Sequence, residues 1–106
     1  MNWNKDFINA FFCVEISEEM VMKDKKNIRR GYWLILKAQR SFFLIHVLWE
    51  FFTTFVMYAP ATDIIKTILH GVSEQWNKMS VADQECVIMA LRKMDRKGDI
   101  TTTLKT

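Results

Sequence analysis

The chain has 106 residues, half of them apolar, and a net charge of +3, so it can bury one hydrophobic core and is too apolar to be disordered throughout. Three glycines and one proline are too few for the many turns of a β-sandwich, and they favour a few long helices. Cys13 and Cys86 form no Cys-x-x-Cys pair, so they offer no zinc framework, and we expect two buried free thiols rather than a disulfide.

The first predicted helix runs from about Trp3 to Glu15, with Asn2 or Asn4 as its N-cap. Its apolar residues recur at steps of four, four and three: Trp3, Phe7, Phe11 and Val14. This spacing places them along one side of a helix, so the segment is predicted to be amphipathic.

A second, short helix is predicted to begin after Ser17, which is followed by two acidic residues, and to reach about Ile28. The end of this helix is strongly cationic. Gly31 then either stops the helix or bends a longer one.

Residues 32–58 are predicted to form the central helix, because apolar residues line two opposite sides of it. Within it, the 19 residues from 41 to 59 approach the minimum length of a membrane span. However, Glu50 near their middle would cost about 2–3 kcal/mol to insert into lipid. The neighbouring helices are amphipathic, so their apolar sides also need a surface against which to pack. We therefore favour a central helix that is covered by protein.

A fourth helix, which is amphipathic, is predicted over residues 62–78 and begins at Pro60 or Thr62. Its apolar stripe consists of Ile64, Ile65, Ile68, Leu69, Val72 and Trp76. Gly71 lies within this pattern and indicates a close contact between helices.

The last helix is predicted over residues 81–97, with Ser80 as its N-cap and Asp83 in its first turn. Its inward residues are Val87, Ala90, Leu91 and Met94. Gly98 follows at the position that favours a left-handed residue, and 101–106 is predicted to be a loose tail.

Positive charge is concentrated between residues 23 and 40, where seven cations accompany one acid, a balance of +6. With two neighbouring aromatic residues they form the predicted binding site: Lys23, Lys25, Lys26, Arg29, Arg30, Tyr32, Trp33, Lys37 and Arg40. Such cations would neutralise the phosphates of nucleic acid while the aromatics stack on bases, and an acidic protein or lipid would use the same charges. The alternative is a solvated helix end that keeps an apolar protein soluble.

No pattern indicates catalysis, a cofactor or a metal ion, because the chain lacks a glycine-rich phosphate loop, a G-x-S-x-G elbow and a zinc motif. His46 and Glu50 are four residues apart, and we interpret them as a buried structural pair rather than an acid–base pair or a metal site. Residues 95–106 begin like an EF-hand loop but lack its central glycine and final glutamate, so calcium is rejected.

The two last helices could form a helix-turn-helix, in which a recognition helix presents its first turn to DNA bases. Asp83 and Glu85 occupy that turn and would repel phosphates. We therefore favour a helical hairpin that completes the core.

Taken together, these patterns predict an all-α bundle of four to five helices around the central apolar helix over 32–58, in one domain over 1–100. We predict a small non-catalytic regulatory or adaptor protein that acts through protein–protein contacts and forms a two-fold homodimer. The alternatives are a nucleic-acid-binding transcriptional regulator that uses residues 23–40 and a membrane-associated small protein. The N-terminus has no signal-peptide pattern, so we expect a cytoplasmic location.

Overall fold

The computed structural model of the chain describes residues 3–13, 24–39, 62–95 and 98–105. Every regular element in these ranges is a helix, which confirms the all-α class. In chain order the elements are α1 (Lys5–Cys13), α2 (Lys25–Ala38), α3 (Thr62–Gln75), a 3-10 turn (Trp76–Lys78), α4 (Val81–Met94) and α5 (Asp99–Lys105). None of these helices is both long enough and apolar enough to cross a membrane, and the stretch 41–59 lies outside the described residues.

Helix α1 begins at the predicted cap residue Asn4, whose Oδ1 accepts hydrogen bonds from the backbone N–H groups of Asp6 (2.8 Å) and Phe7 (3.4 Å). The N–H of Asn4 donates to Oγ of Ser73 at 2.7 Å, which joins the start of α1 to α3. The predicted inward residues Trp3, Phe7 and Phe11 are buried. Cys13, at the end of α1, is exposed, so the prediction of two buried thiols is wrong for this residue.

Helix α2 continues through Gly31, so of the two alternatives left open the longer helix is confirmed, and the predicted boundaries near Ile28 and residue 32 are corrected. The helix begins after Asp24, whose Oδ1 accepts a hydrogen bond from the N–H of Asn27 at 3.3 Å. A Cβ added at Gly31 would lie only 2.1 Å from the backbone oxygen of Cys86 and 2.8 Å from Cβ of Ala90. Glycine is therefore required here for the close approach of α2 to α4, which a sequence does not distinguish from a helix stop.

The predicted helix over 32–58 is also interrupted, because α2 ends at Ala38 and Gln39 has an extended backbone (φ −82°, ψ 140°). The buried side chain of Gln39 donates from Nε2 to the carbonyl oxygens of Ile35 (2.9 Å) and Ile68 (3.2 Å). It thus satisfies a carbonyl of the last turn of α2 and links that turn to α3. Residues 40–58 lie outside the described part of the chain.

Helix α3 approaches the end of α2 at Gly71, as predicted, since a Cβ there would lie 2.8 Å from Oε1 of Gln39 and 2.9 Å from the Ala38 carbonyl oxygen. The helix begins at Thr62, one of the two predicted starts. The described members of its predicted apolar stripe are buried: Ile65, Ile68, Leu69, Val72 and, in the 3-10 turn, Trp76. Periodicity alone therefore identified the inward side of α3.

Helix α4 lies deepest in the described core, because the six consecutive residues Cys86–Leu91 are all buried. Ser80 is its N-cap, as predicted, and Oγ of Ser80 accepts a hydrogen bond from the N–H of Asp83 at 3.2 Å. Its largest contact with another described helix is with α2. In the described residues α4 therefore has the central position that we predicted for residues 32–58.

Residues 101–105 of the predicted loose tail over 101–106 belong to helix α5, on which Ile100, Thr103 and Leu104 are buried, and residue 106 lies outside the described residues. The carboxylate of Asp95, just after α4, accepts hydrogen bonds from the N–H of Ile100 (2.9 Å) and from the Thr101 hydroxyl. This carboxylate caps the start of α5, where the helix dipole favours negative charge. Helix α4 consequently ends at Met94, three residues before the predicted end.

Candidate partner-binding surface

One side of α2 carries most of the predicted binding residues. Six exposed side chains lie on it, and we name this set the α2 cationic surface: Lys25, Lys26, Arg29, Arg30, Trp33 and Lys37. At 100° per residue they fall within an arc of about 140°, with Trp33 near its middle. The structure therefore brings the cations together on one face around a single aromatic residue.

The orientation of this surface follows from the opposite side of α2. Ile28, Gly31, Ile35 and Ala38 are buried there, and Ile35 and Ala38 belong to the main hydrophobic cluster. Leu36, near the end of α2, is also buried, although at 100° per residue it falls within the arc of the cations. Burial of these apolar residues removes their surface from water and fixes the rotation of the helix about its axis. The cations are consequently directed outward by the packing of α2 rather than by contacts of their own.

Trp33 is the aromatic centre of the surface, and 51% of it is exposed. The ammonium nitrogen of Lys37, one turn later, lies 5.4 Å from the centroid of the Trp33 ring. This cation–π contact is worth about 0.5–1 kcal/mol at an exposed site. Lys37 thus occupies part of the ring, while about half of the indole remains available to a partner.

Arg30, at one margin of the surface, is already paired with an acid of α4. Its Nη2 and Nε atoms each lie 2.9 Å from Oδ1 of Asp83, and their side chains are 57% and 22% exposed. Among the described residues, no ion pair involves the other four cations of the surface. The α2 cationic surface therefore keeps most of its positive charge uncompensated by the described part of the chain.

The chain was compared with protein-family models, with curated proteins and with solved structures, and none of these comparisons found a match. The function is therefore inferred from the α2 cationic surface itself. This surface combines exposed cations, an exposed indole and a rigid helix that supports both.

Three predicted binding residues do not join this surface. Tyr32 is half-buried and packs against the hydrophobic cluster, since adjacent residues of a helix point about 100° apart. Lys23 and Arg40 lie outside the described residues. The described surface therefore has one exposed aromatic residue, not two.

A recognition helix for DNA is incompatible with the burial of α4. Its exposed residues are Val81, Ala82 and Glu85 near its start, and Asp83 beside them is paired with Arg30. The following residues Cys86–Leu91 are buried on all sides of the helix. Helix α4 consequently offers no continuous face that could enter a groove of DNA.

Few of the residues for which the sequence suggested other chemistry are described. His46 and Glu50 lie outside the described ranges, and within those ranges no three His, Cys, Asp or Glu side chains converge as metal ligands. Cys86 is a buried free thiol, as predicted, and burial raises its pKa. This pKa shift favours the neutral thiol and is opposite to the shift that activates a nucleophilic cysteine.

Sequence reasoning missed two contacts of the site. The Arg30–Asp83 ion pair joins residues 53 positions apart, so no local pattern indicates it. The Trp33–Lys37 contact spans four residues inside the helix predicted over 32–58, so this spacing already indicated it. Of the two contacts, the Arg30–Asp83 pair alone required knowledge of the tertiary structure.

Proposed function

We propose that the chain is a small, non-catalytic regulatory or adaptor protein that binds a protein partner through the α2 cationic surface. The observation that supports this proposal most directly is the position of Trp33, half-exposed at the centre of exposed cations. Tryptophan and arginine are enriched at protein interfaces, and a central aromatic residue often contributes most of the binding energy. Charges around it increase the rate of association and select the partner.

The rigidity of α2 supports the same proposal. Its first turn is capped by Asp24, its last turn is held by Gln39, and its buried side contacts α4 at Gly31. A side chain on such a support loses little backbone entropy when a partner binds. The surface is therefore already formed in the free chain.

Photo-crosslinking within the native cells tests this proposal. A photoreactive benzoylphenylalanine replaces Trp33 in one variant and Asn9, an exposed residue of α1, in the control variant. We expect a discrete protein adduct from position 33 that is absent from position 9. A third variant adds Lys26→Glu and Arg29→Glu to the photoreactive residue at position 33, and this charge reversal should remove the adduct.

Equal adducts from positions 33 and 9, or an adduct that survives the charge reversal, would refute a docking role for this surface. An adduct at position 33 that nuclease removes would replace the protein partner by a nucleic acid. A circular dichroism spectrum of each variant verifies that the helices are retained.

A nucleic-acid-binding regulator is the second candidate, favoured by the shared face of the cations and Trp33. Cations that neutralise phosphates make affinity fall steeply with salt, and an exposed indole can stack on an unpaired base. A gel-shift titration at 50 and 200 mM salt, values chosen as roughly the range in which such binding changes most, tests this function. Binding should fall between the two salt concentrations and be lost in an Arg29→Ala/Arg30→Ala variant, whereas no shift at low salt excludes this candidate.

The homodimer stays a prediction, because it was based on residues 32–58 and only their first part is described. If two copies cover the apolar residues of this stretch, light scattering should give twice the mass of 12.6 kDa at concentrations on the order of tens of micromolar. A mass of one chain at these concentrations would exclude the dimer.

A further inference from the structure

We infer that the partner presents a short acidic segment with one aromatic side chain between its carboxylates, and that this aromatic side chain packs on Trp33. The inference rests on the proposed function and specifies the chemistry of the ligand. It follows from three features of the α2 cationic surface: the charge, the spacing of its cations around Trp33, and the Arg30–Asp83 pair.

The charge of the surface requires an acidic ligand. Lys25, Lys26 and Arg29 precede Trp33, and Lys37 follows it, with no described acid paired to any of them. A ligand without anionic groups would leave these cations without a counter-charge and would gain nothing from them. The cations on both sides of the indole therefore favour acids on both sides of the ligand's aromatic residue.

The spacing of the cations sets the length of the ligand. From Lys25 to Lys37 the helix rises by about 18 Å, at 1.5 Å per residue. An extended peptide covers this distance with about six residues at roughly 3.3 Å each. Apart from the paired Arg30, three cations of the surface precede Trp33 and one follows it. We accordingly expect the acids of the ligand to be unevenly divided, with more of them on one side of the aromatic residue.

The Arg30–Asp83 pair shows that a carboxylate fits the margin of this surface. Asp83 on α4 reaches Arg30 on α2, and Oδ1 of Asp83 lies 2.9 Å from both Nε and Nη2 of the guanidinium. The carboxylate of Asp83 is therefore already paired with Arg30, a cation that a ligand would otherwise use. The same chemistry suits the neighbouring cations, which have no described acid.

A single stacking position favours a peptide over a single-stranded nucleic acid. Proteins that bind single strands combine a basic groove with several aromatic residues, on which successive bases stack. Trp33 is the only exposed aromatic residue of α2, since Tyr32 packs against the hydrophobic cluster. The exposed side of α2 thus offers one aromatic contact with cations around it. This arrangement matches a peptide that has one aromatic residue with acids around it.

A fluorescence anisotropy titration with defined peptides tests the inference on the full chain. The probe is fluorescein-labelled Gly-Glu-Asp-Glu-Phe-Glu-Asp-Gly, with three acids before the phenylalanine and two after it. One control has the same composition with phenylalanine at the N-terminus, and another has every acid replaced by its amide. Labelled oligo-dT of similar length and vesicles of phosphatidylserine test the other anionic ligands.

We expect the probe to bind at least about ten-fold more tightly than either control peptide and more tightly than oligo-dT or the vesicles. Trp33→Ala should weaken binding about ten-fold or more, whereas Val81→Ala, at a residue that is 72% exposed, should not change it. Lys26→Glu/Arg29→Glu should abolish binding. Lys5→Glu/Lys78→Glu changes the net charge equally at exposed sites on other elements and should retain most of it.

Equal affinity for the probe and the displaced-phenylalanine peptide would overturn the central aromatic contact. Tighter binding to oligo-dT or to the vesicles than to the probe would overturn the acidic peptide. If no peptide binds but the crosslink at position 33 remains, the inference fails while the proposed function stands. Loss of both would refute both.

Discussion

Helices α2 and α4 are each 14 residues long and pack against one another, yet they differ in how much of their surface reaches solvent. Helix α4 has six consecutive buried residues, Cys86–Leu91, whereas α2 buries one side and exposes cations on the other. A helix that is covered all round supports its neighbours, and a helix that is covered on one side can present residues to a partner. The comparison therefore separates structural support from the candidate binding surface.

The largest expected difference concerns the two cysteines. Cys13 is exposed at the end of α1, whereas Cys86 is buried in α4 and its pKa is raised by burial. Since the thiolate is the reactive form, a raised pKa lowers its amount at pH 8, and burial also blocks the reagent. We expect Cys86 to react at least about a thousand-fold more slowly than Cys13, because its labelling requires the core to open.

Mass spectrometry after timed treatment with iodoacetamide measures both rates, and a denatured sample supplies the control in which both thiols react. Comparable rates in the folded chain would contradict the description of α4 as buried on all sides.

Gly31→Ala should disrupt the contact between the two helices. The new Cβ would lie 2.1 Å from the Cys86 backbone oxygen, and backbone cannot move aside as a flexible side chain can. Although alanine favours helices by about 1 kcal/mol over glycine, we expect the free energy of unfolding to fall by about 3 kcal/mol or more. Urea denaturation measures this change. The control Arg29→Ala, on the exposed side of α2, should change it by about 0.5 kcal/mol or less.

Gln39→Ala tests the end of α2. It removes the hydrogen bonds to the Ile35 and Ile68 carbonyl oxygens and leaves the Ile35 carbonyl, in the last turn of α2, without a donor, so we expect a loss of about 2 kcal/mol. Gln84→Ala is the matched control, because Nε2 of Gln84 donates one hydrogen bond of 2.9 Å to Trp76 in a half-buried position. A larger loss in the control, in the same urea titration, would show that Gln39 does not hold this end.

Asp83→Asn should have the smallest effect on stability and a useful effect on binding. An exposed ion pair contributes about 1 kcal/mol or less, so the chain should remain folded. Because Arg30 then becomes free for a ligand, we expect affinity for the acidic probe to rise about two- to five-fold. Glu85→Gln makes the same change of charge on an exposed residue of α4 with no described bond to Arg30. An equal gain in this control would attribute the effect to net charge alone.

The sequence predicted correctly those features of the fold that depend on local signals. The Ser80 cap and the apolar stripe of α3 are both confirmed. Side-chain spacing and capping chemistry determine them within one or two turns. No knowledge of the neighbouring helices was needed.

The boundaries that were predicted wrongly depend on contacts between distant residues. Gly31 has the same local pattern whether it stops a helix or lies at a crossing, and only Cys86 on α4 distinguishes the two. The segment 101–105 is rich in threonine, a poor helix former, and its helix is supported by burial of Ile100 and Leu104. Tertiary packing therefore overrode the local preference at both places.

The candidate surface was partly predictable. The cations were identified from charge alone, but their common face required α2 to be one helix from Lys25 to Ala38. Tyr32 was assigned to the surface because it neighbours Trp33 in sequence, although a helix turns adjacent residues to different sides. The error was therefore geometric, since both residues already lay in the helix predicted over 32–58.

The glycine at position 31 has a consequence for how variation in this chain would be tolerated. Because the backbones of two helices approach closely there with no side chain of residue 31 between them, a side chain at this position would push α2 away from Cys86 and Ala90. The direction in which Trp33 points is thus determined on the buried side of α2, by a residue that no partner contacts. Substitutions at Gly31 should therefore alter partner binding by changing the direction of the Trp33 indole, even where every cation is retained.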